Sequence, residues 1–96
     1  MRPLVLLLGA CVTLSVHAQE PGAALASTCA NCHGTSGRSA TQEVTPLAGR
    51  PKEFLLSQMK AFKDGSRPAT IMHQLAKGYT DAQIETLANY FASQKP

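Results

Sequence analysis

The 96-residue chain contains no tryptophan, two tyrosines and three phenylalanines, so few large side chains are available to fill a hydrophobic core. A chain of this length buries too little apolar surface to be very stable by packing alone, and small domains usually carry an additional cross-link or bound group. Three cysteines are too few for a disulfide framework. The sequence therefore predicts that a bound group fills the centre of the fold.

Strand-like patterns are also missing. No stretch alternates apolar and polar residues as a half-buried strand does, and the regular segments have helical spacing instead. The chain is therefore predicted to be all helix and loop, with one domain and no internal repeat. It has no interleaving of basic and aromatic residues, which excludes the common pattern of nucleic-acid binding.

The first 18 residues are predicted to be a signal peptide, with residues 19–96 as the exported domain. Arg2 supplies the positive start, an apolar stretch follows, and Val16-His17-Ala18 resembles a cleavage site. The stretch is too short and too polar to predict a transmembrane helix. Removal of Arg2 leaves eight Lys and Arg against six Asp and Glu, a net charge of +2.

A lipoprotein signal is the alternative for this segment, because Leu8-Gly9-Ala10-Cys11 resembles a lipoprotein cleavage box. The apolar run before Cys11 is very short, however, and apolar character continues after it, so cleavage after Ala18 is favoured. No stable membrane anchor is expected unless Cys11 is lipidated. The predicted location is the periplasm.

The most informative pattern is Cys29-Ala30-Asn31-Cys32-His33, which has the C-x-x-C-H spacing of a c-type haem attachment site. The two-residue gap lets one turn of backbone present both sulfurs to the two vinyl groups of the porphyrin. A thioredoxin-like motif needs surrounding strands, and a zinc site needs a second pair of ligands. A disulfide between Cys29 and Cys32 remains as the alternative. We predict covalent haem at these cysteines, with His33 as an iron ligand.

An iron held by one histidine has a second axial position, for which the candidates are Met59, Met72 and His73. Met59 lies in a helical apolar stripe, where methionine is usually core filler. Met72 and His73 project about 100° apart on a helix, so they do not both face the iron. We predict Met72 as the ligand and His73 as a surface or rim residue. Simple packing of Met72 and ligation by His73 are the alternatives.

Helical spacing and end signals predict four helices. The first covers residues 22–28 and ends at the cysteine motif, and an irregular loop follows over residues 34–51. Pro51 begins the second helix, which ends at Asp64-Gly65. Its apolar stripe consists of Leu55, Met59 and Phe62.

A short third helix is predicted over residues 69–77, with Gly78 as its C′ residue. The last helix begins with a capping box between Thr80 and Gln83 and runs to about Gln94. The residues expected on its buried face are Ile84, Leu87, Ala88 and Phe91.

Together these features resemble the small monohaem class I cytochromes c, and within them the cytochrome subunits of flavocytochrome c sulfide dehydrogenases. The general resemblance covers essentially all of residues 19–96. It rests on the cysteine motif followed by Gly34, and on Thr45-Pro46-Leu47-Ala48-Gly49, Phe62-Lys63-Asp64-Gly65 and Leu87-Ala88-Asn89-Tyr90-Phe91. The narrower resemblance rests on Thr70-Ile71-Met72 and Ala76-Lys77-Gly78-Tyr79-Thr80.

The resemblance implies an all-α class I cytochrome c fold of about four helices around one covalently bound haem c. It implies that the carbonyl of Pro46 accepts a hydrogen bond from the other ring nitrogen of His33, which would fix the orientation of the ring. It also implies that Leu25 packs against the last helix. The attachment and ligand residues that it implies are Cys29, Cys32, His33 and Met72.

The implied function is periplasmic electron transfer, because an iron with two protein axial ligands has no open position for a substrate. The protein is therefore expected to be an electron carrier and not an enzyme. The predicted role is the electron-accepting subunit of a sulfide-oxidising flavocytochrome, with a flavoprotein partner. The alternative is a diffusible carrier between respiratory or photosynthetic complexes.

Basic residues in the second half of the chain are expected either to attract an acidic redox partner or to form an ordinary solvated surface. Arg38, in the loop after the motif, is expected to be exposed to solvent rather than paired with a haem propionate. The basic residues in the second half are Arg50, Lys52, Lys60, Lys63, Arg67 and Lys77.

Overall fold

The structure is a computed structural model that describes residues 3–4, 9–15 and 20–96. The described part of the chain contains helices and loops and no strand, which confirms the all-α prediction. Arg2 and residues 16–18, on which the predicted signal peptide depends, lie outside the described residues. Within the described ranges, no helix is long and apolar enough to cross a membrane.

Five α-helices follow one another along the described chain. The first two are joined by a 3-10 turn over Ser27–Cys29 whose backbone stays right-handed, so they form one helical unit that passes through the cysteine motif. The prediction that the first helix ends before the motif is therefore wrong. The α-helices are α1 (Ala23–Ala26), α2 (Ala30–His33), α3 (Lys52–Asp64), α4 (Met72–Lys77) and α5 (Asp81–Ser93).

The ends of α3 and α4 follow the sequence signals to different degrees. Pro51 immediately precedes α3, and Gly65 ends the helix with a φ of 84°, in the left-handed region that suits glycine. Helix α4 is shorter than predicted because Ile71 has a φ of −137°, outside the helical region. Gly78 follows α4 with a φ of −75°, so it ends the helix without the left-handed conformation that a C′ glycine usually adopts.

Helix α5 begins with the predicted capping box. The backbone N–H of Gln83 donates to the Thr80 hydroxyl at 3.1 Å, and the backbone N–H of Thr80 donates to the Gln83 side chain at 2.9 Å. These two bonds satisfy donors that the first turn would otherwise leave unpaired. The predicted buried face of α5 is confirmed, since its buried residues are Ile84, Leu87, Ala88 and Phe91.

The core lies where α5 packs against α3 and α1. Leu25 packs against this cluster, as predicted. Gly22 permits the close approach of the first and last helices, because a Cβ atom there would lie 3.0 Å from the Cβ atom of Tyr90. The buried residues of the cluster are mostly small or medium in size: Ala26, Leu55, Leu87, Ala88 and Phe91.

Glu20 ties the start of the described domain to its last helix. Its carboxylate accepts hydrogen bonds from the Ser93 hydroxyl at 2.6 Å and from the Gln94 amide at 3.0 Å. The hydrogen bonds from Ser93 and Gln94 lower the pKa of Glu20 below its ordinary value of 4.5, and the bond from Ser93 has the larger effect. The residue is exposed, so solvent screens the interaction and its contribution to stability is small.

We expect Glu20→Gln to lower the unfolding free energy slightly at neutral pH and to have no effect in acid. A carboxylate with a lowered pKa stabilises the fold above its unfolded pKa, and this stability is lost as the pH falls through the folded pKa. The difference between wild type and variant should therefore shrink below pH 4.5.

Urea unfolding midpoints measured across this pH range test the expectation for Glu20. Glu43→Gln, in an exposed loop, is the control and should show no comparable trend. A difference between wild type and Glu20→Gln that does not change with pH would contradict the assignment.

Candidate haem site

The cysteine motif lies on the continuous helical unit of residues 23–33. Cys29 is half-buried at the end of the 3-10 turn, Cys32 is exposed in α2, and His33 is the last residue of α2. Burial raises the pKa of the Cys29 thiol. All three cysteines of the chain are described, and each is a free thiol. One helical segment therefore presents two unpaired thiols and an imidazole.

Gly34 turns the chain immediately after His33. Its φ is 81°, and a Cβ atom at this position would collide with the backbone carbonyl of Arg38. The chain then folds back, because the N–H groups of Leu47 and Ala48 both donate to the carbonyl of Gly37, at 2.9 and 3.1 Å. This fold-back brings the loop that ends near residue 50 beside the histidine.

The His33 ring is oriented by the backbone of that loop. Its Nδ1 atom lies 2.7 Å from the carbonyl oxygen of Thr45. A carbonyl only accepts hydrogen bonds, so Nδ1 carries the proton and donates it. In the neutral ring, Nε2 is the nitrogen without a proton and is able to bind a metal ion.

The prediction that the carbonyl of Pro46 accepts this bond is wrong by one residue. That carbonyl instead accepts a hydrogen bond from Arg50 Nε at 3.3 Å. A residue before proline is held in an extended conformation, and successive carbonyl groups of an extended chain point to opposite sides. Thr45 therefore faces His33 while Pro46 faces Arg50.

An apolar cavity, partly open to solvent, lies against the motif. Its walls are mainly apolar side chains of α3, α5 and the returning loop, including Phe54, Leu55, Leu47 and Phe91. The cavity lies beside the core cluster, so a bound group here would complete a core that the chain alone leaves small.

The structure places two of the three candidates for the second axial position at the cavity. Met72, the first residue of α4, is half-buried and lines the cavity. Met59 of α3 is half-buried and lines the same cavity, as the core residue Leu55 also does. That Met59 is a packing residue and not a ligand stays a prediction. His73 is half-buried, but in the described part of the chain it does not line the cavity, and its Nδ1 atom is buried without a hydrogen-bond partner. Met72 therefore faces the cavity in preference to its neighbour.

Several polar residues that line the cavity were not predicted as site residues. The guanidinium of Arg67 lies 4.6 Å from the ring centroid of Phe62 and donates to the side chain of Gln58. Thr28 and Tyr79 also line the cavity, and their hydroxyl oxygens are 3.0 Å apart. Sequence spacing gives no signal for these residues because their proximity depends on how α3, α4 and the motif pack.

The other basic residues are partly engaged in contacts within the chain. Lys52 pairs with Glu85 at 3.3 Å, and Lys63 pairs with Asp81 at 3.4 Å. Arg38 is exposed, as expected, and donates to the carbonyl of Lys95 at 3.1 Å. A set of basic residues that is partly paired in this way is closer to an ordinary charged surface than to one continuous free patch.

The residues around the cavity fit an iron porphyrin better than a bare metal ion. Within residues 3–4, 9–15 and 20–96, no three His, Cys, Asp or Glu side chains come together as a metal site. One imidazole and one thioether would thus supply only two ligands, and the other four would have to come from the bound group. The two thiols of the motif provide the means of attaching that group.

Comparison with known proteins gives the same answer. Residues 19–95 match the family model described as cytochrome c. The chain belongs to the cytochrome c family. Membership implies a covalently bound haem c and electron transfer through it. The cavity offers one imidazole and one thioether as iron ligands, and the porphyrin of a haem would supply the other four.

Three members of the family show the extent of the similarity. The chain is 39% identical over 75 residues to the cytochrome subunit of sulfide dehydrogenase from Chlorobaculum tepidum, covering 78% of this chain and 67% of that one. It is 37% identical over 71 residues to cytochrome c-554(548) from Halomonas halodenitrificans, covering 71% and 86%. The crystal structure of reduced cytochrome c4 from Pseudomonas stutzeri superposes with a TM-score of 0.74 at 30% identity, covering 81% and 47%. These matches confirm the predicted class I cytochrome c fold.

Proposed function

We propose that the protein is exported to the periplasm, loses residues 1–18, and transfers electrons through one haem c with His33 and Met72 as axial ligands. The start of the family match at residue 19 supports the division of the chain. The observation that carries the proposal is the placement of Cys29, Cys32, His33 and Met72 around one apolar cavity.

The haem, when bound, supplies an iron that changes its charge by one electron. The chain's own residues determine how that change occurs. The bond from His33 to the Thr45 carbonyl keeps the ring in one orientation and one tautomer. The thioether of Met72, as a ligand of the bound iron, would favour its reduced state relative to a second imidazole. His33 and Met72 together would hold the iron through protein side chains and leave no open position for a substrate, which favours a carrier over a catalyst.

The apolar walls of the cavity have a second effect. Leu55, Leu87 and Phe91 are buried and line the site, so water is kept from that side of it. A site with few mobile dipoles has little to reorganise when the charge changes. Rigid packing of this kind is suited to rapid electron transfer in both directions.

We propose further that the redox partner is a flavoprotein that oxidises sulfide. The support is the similarity to the cytochrome subunit of sulfide dehydrogenase, which extends over 75 residues and 78% of this chain. A diffusible electron carrier is the second candidate. It is supported by the similarity to cytochrome c-554(548), because the chain spans 86% of that protein rather than a small part of a longer one.

Co-purification from the native source at low ionic strength distinguishes the two candidates. For an enzyme subunit, we expect a flavoprotein to elute with the haem protein, and sulfide to reduce the haem at a rate proportional to the flavoprotein concentration. The haem protein separated from its partner is the control and should be reduced far more slowly. Elution of the haem protein alone, with no effect of added flavoprotein fractions on the rate, would contradict the subunit role and favour the carrier.

A further inference from the structure

Tyr79, just after α4, is bonded to two other parts of the chain. Its hydroxyl lies 3.0 Å from that of Thr28, the residue before Cys29. Its backbone carbonyl accepts a hydrogen bond from Lys63 Nζ, near the end of α3, at 2.7 Å. Tyr79 is also half-buried, packs against the core cluster and lines the cavity. One residue thus connects the helix that carries Met72 with both the attachment motif and α3.

The hydrogen bond from Lys63 to the Tyr79 carbonyl has a charged donor and is partly buried. The Lys63 side chain is 32% exposed, and its ammonium group also lies 3.4 Å from Asp81, the first residue of α5. A hydrogen bond from a charged donor is about twice as strong as one between neutral groups, and partial burial reduces its screening by water. Lys63 therefore fixes the short connection between α4 and α5.

Helix α4 packs against α3, but it buries few side chains of its own. It has six residues, and a helix this short is not stable in isolation. Ala76 is its only buried residue, whereas Leu75 is 46% exposed and Ile71, just before the helix, is 56% exposed. The hydrogen bonds at its C-terminal end therefore add to the packing on α3 in holding α4 over the cavity.

We propose that Thr28, Lys63 and Tyr79 form a clamp that positions Met72 for the iron. The inference rests on the proposed ligation by Met72. While the clamp is closed, α4 stays over the cavity and the thioether remains at the axial position. Loss of a clamp bond raises the population in which Met72 has left the iron, and an external ligand then binds with higher apparent affinity.

The test uses the oxidised haem-loaded protein with imidazole as the external ligand. Tyr79→Phe removes the hydroxyl bond, and Lys63→Met removes the bond to the carbonyl. Thr28→Val removes the other hydroxyl of the Thr28–Tyr79 bond and is an independent test of that bond. The apparent affinity for imidazole is read from the loss of the weak red absorption band of sulfur-to-iron ligation. We expect Tyr79→Phe and Thr28→Val each to bind imidazole about fivefold more tightly, the factor that corresponds to one neutral hydrogen bond. Lys63→Met should have a larger effect, because its donor is charged.

The chain offers matched controls for the tyrosine and lysine changes. Tyr90→Phe removes a hydroxyl that donates to Ser36 at 3.4 Å, away from α4. Lys52→Met removes an ammonium that, like that of Lys63, joins α3 to α5 through a carboxylate, here Glu85. Both controls should bind imidazole as the wild type does. Urea unfolding of all variants separates general destabilisation from a specific effect at the iron.

The outcomes distinguish the clamp from the proposed function. If the wild type shows the red band and the clamp variants bind imidazole no more tightly than their controls, the clamp is overturned and Met72 ligation stands. If the wild type lacks the band, the ligation by Met72 is overturned, and the clamp inference with it. Tighter imidazole binding in the clamp variants alone, beyond any change in urea stability, supports the clamp.

Discussion

Replacement of both motif cysteines, as Cys29→Ser/Cys32→Ser, is expected to abolish covalent attachment of haem. A serine hydroxyl does not form the thioether that joins the porphyrin vinyl groups to the chain. The loss should extend to the fold, because the apolar cavity would lack the group that completes the small core. Haem staining after electrophoresis under denaturing conditions detects the covalent bond directly.

The control for this experiment is Cys11→Ser, which removes the remaining cysteine and should leave haem content unchanged. The single variants Cys29→Ser and Cys32→Ser should each retain at most one thioether. Haem that remains covalently bound to the double variant would show that the attachment site lies elsewhere.

Met72→Leu is expected to remove the weak red absorption band and to lower the reduction potential. Leucine fills similar space but offers no sulfur, so the iron loses the ligand that favours its reduced state. We expect a decrease on the order of 0.1 V, a modest part of the range over which axial ligands shift haem potentials. Spectroelectrochemical titration of the purified protein measures the band and the potential together.

Met59→Leu is the matched control, because Met59 lines the same cavity as Met72 and undergoes the same chemical change. It should retain the red band and change the potential little. If Met59→Leu loses the band and Met72→Leu keeps it, the ligand is Met59 in α3 and not Met72.

Local sequence signals predicted the parts of the fold that depend on neighbours along the chain. The capping box of Thr80 and Gln83 involves residues three apart, and both of its bonds are present. The stop of α3 at Gly65 and the buried face of α5 follow from equally short-range patterns. The attachment motif is also a short-range pattern, and its five residues lie on one helical unit.

Parts that depend on tertiary packing were predicted less well. The acceptor for His33 is 12 positions along the chain, and the direction of each carbonyl there, Thr45 rather than Pro46, is set by the returning loop. Sequence spacing identifies the apolar stripe of α3 that contains Met59, but it does not show that this stripe lines the cavity, because that depends on how α3 packs. The contact of Thr28 with Tyr79 spans 51 positions, and no periodic pattern encodes it.

The intact mass of the exported wild-type protein, produced with a working haem maturation system, tests the central assignment most directly. We expect a coloured protein whose mass exceeds that of the bare chain by one haem, with the addition retained on denaturation and located at Cys29 and Cys32. A colourless protein with the mass of the bare chain, isolated under the same conditions, would contradict it.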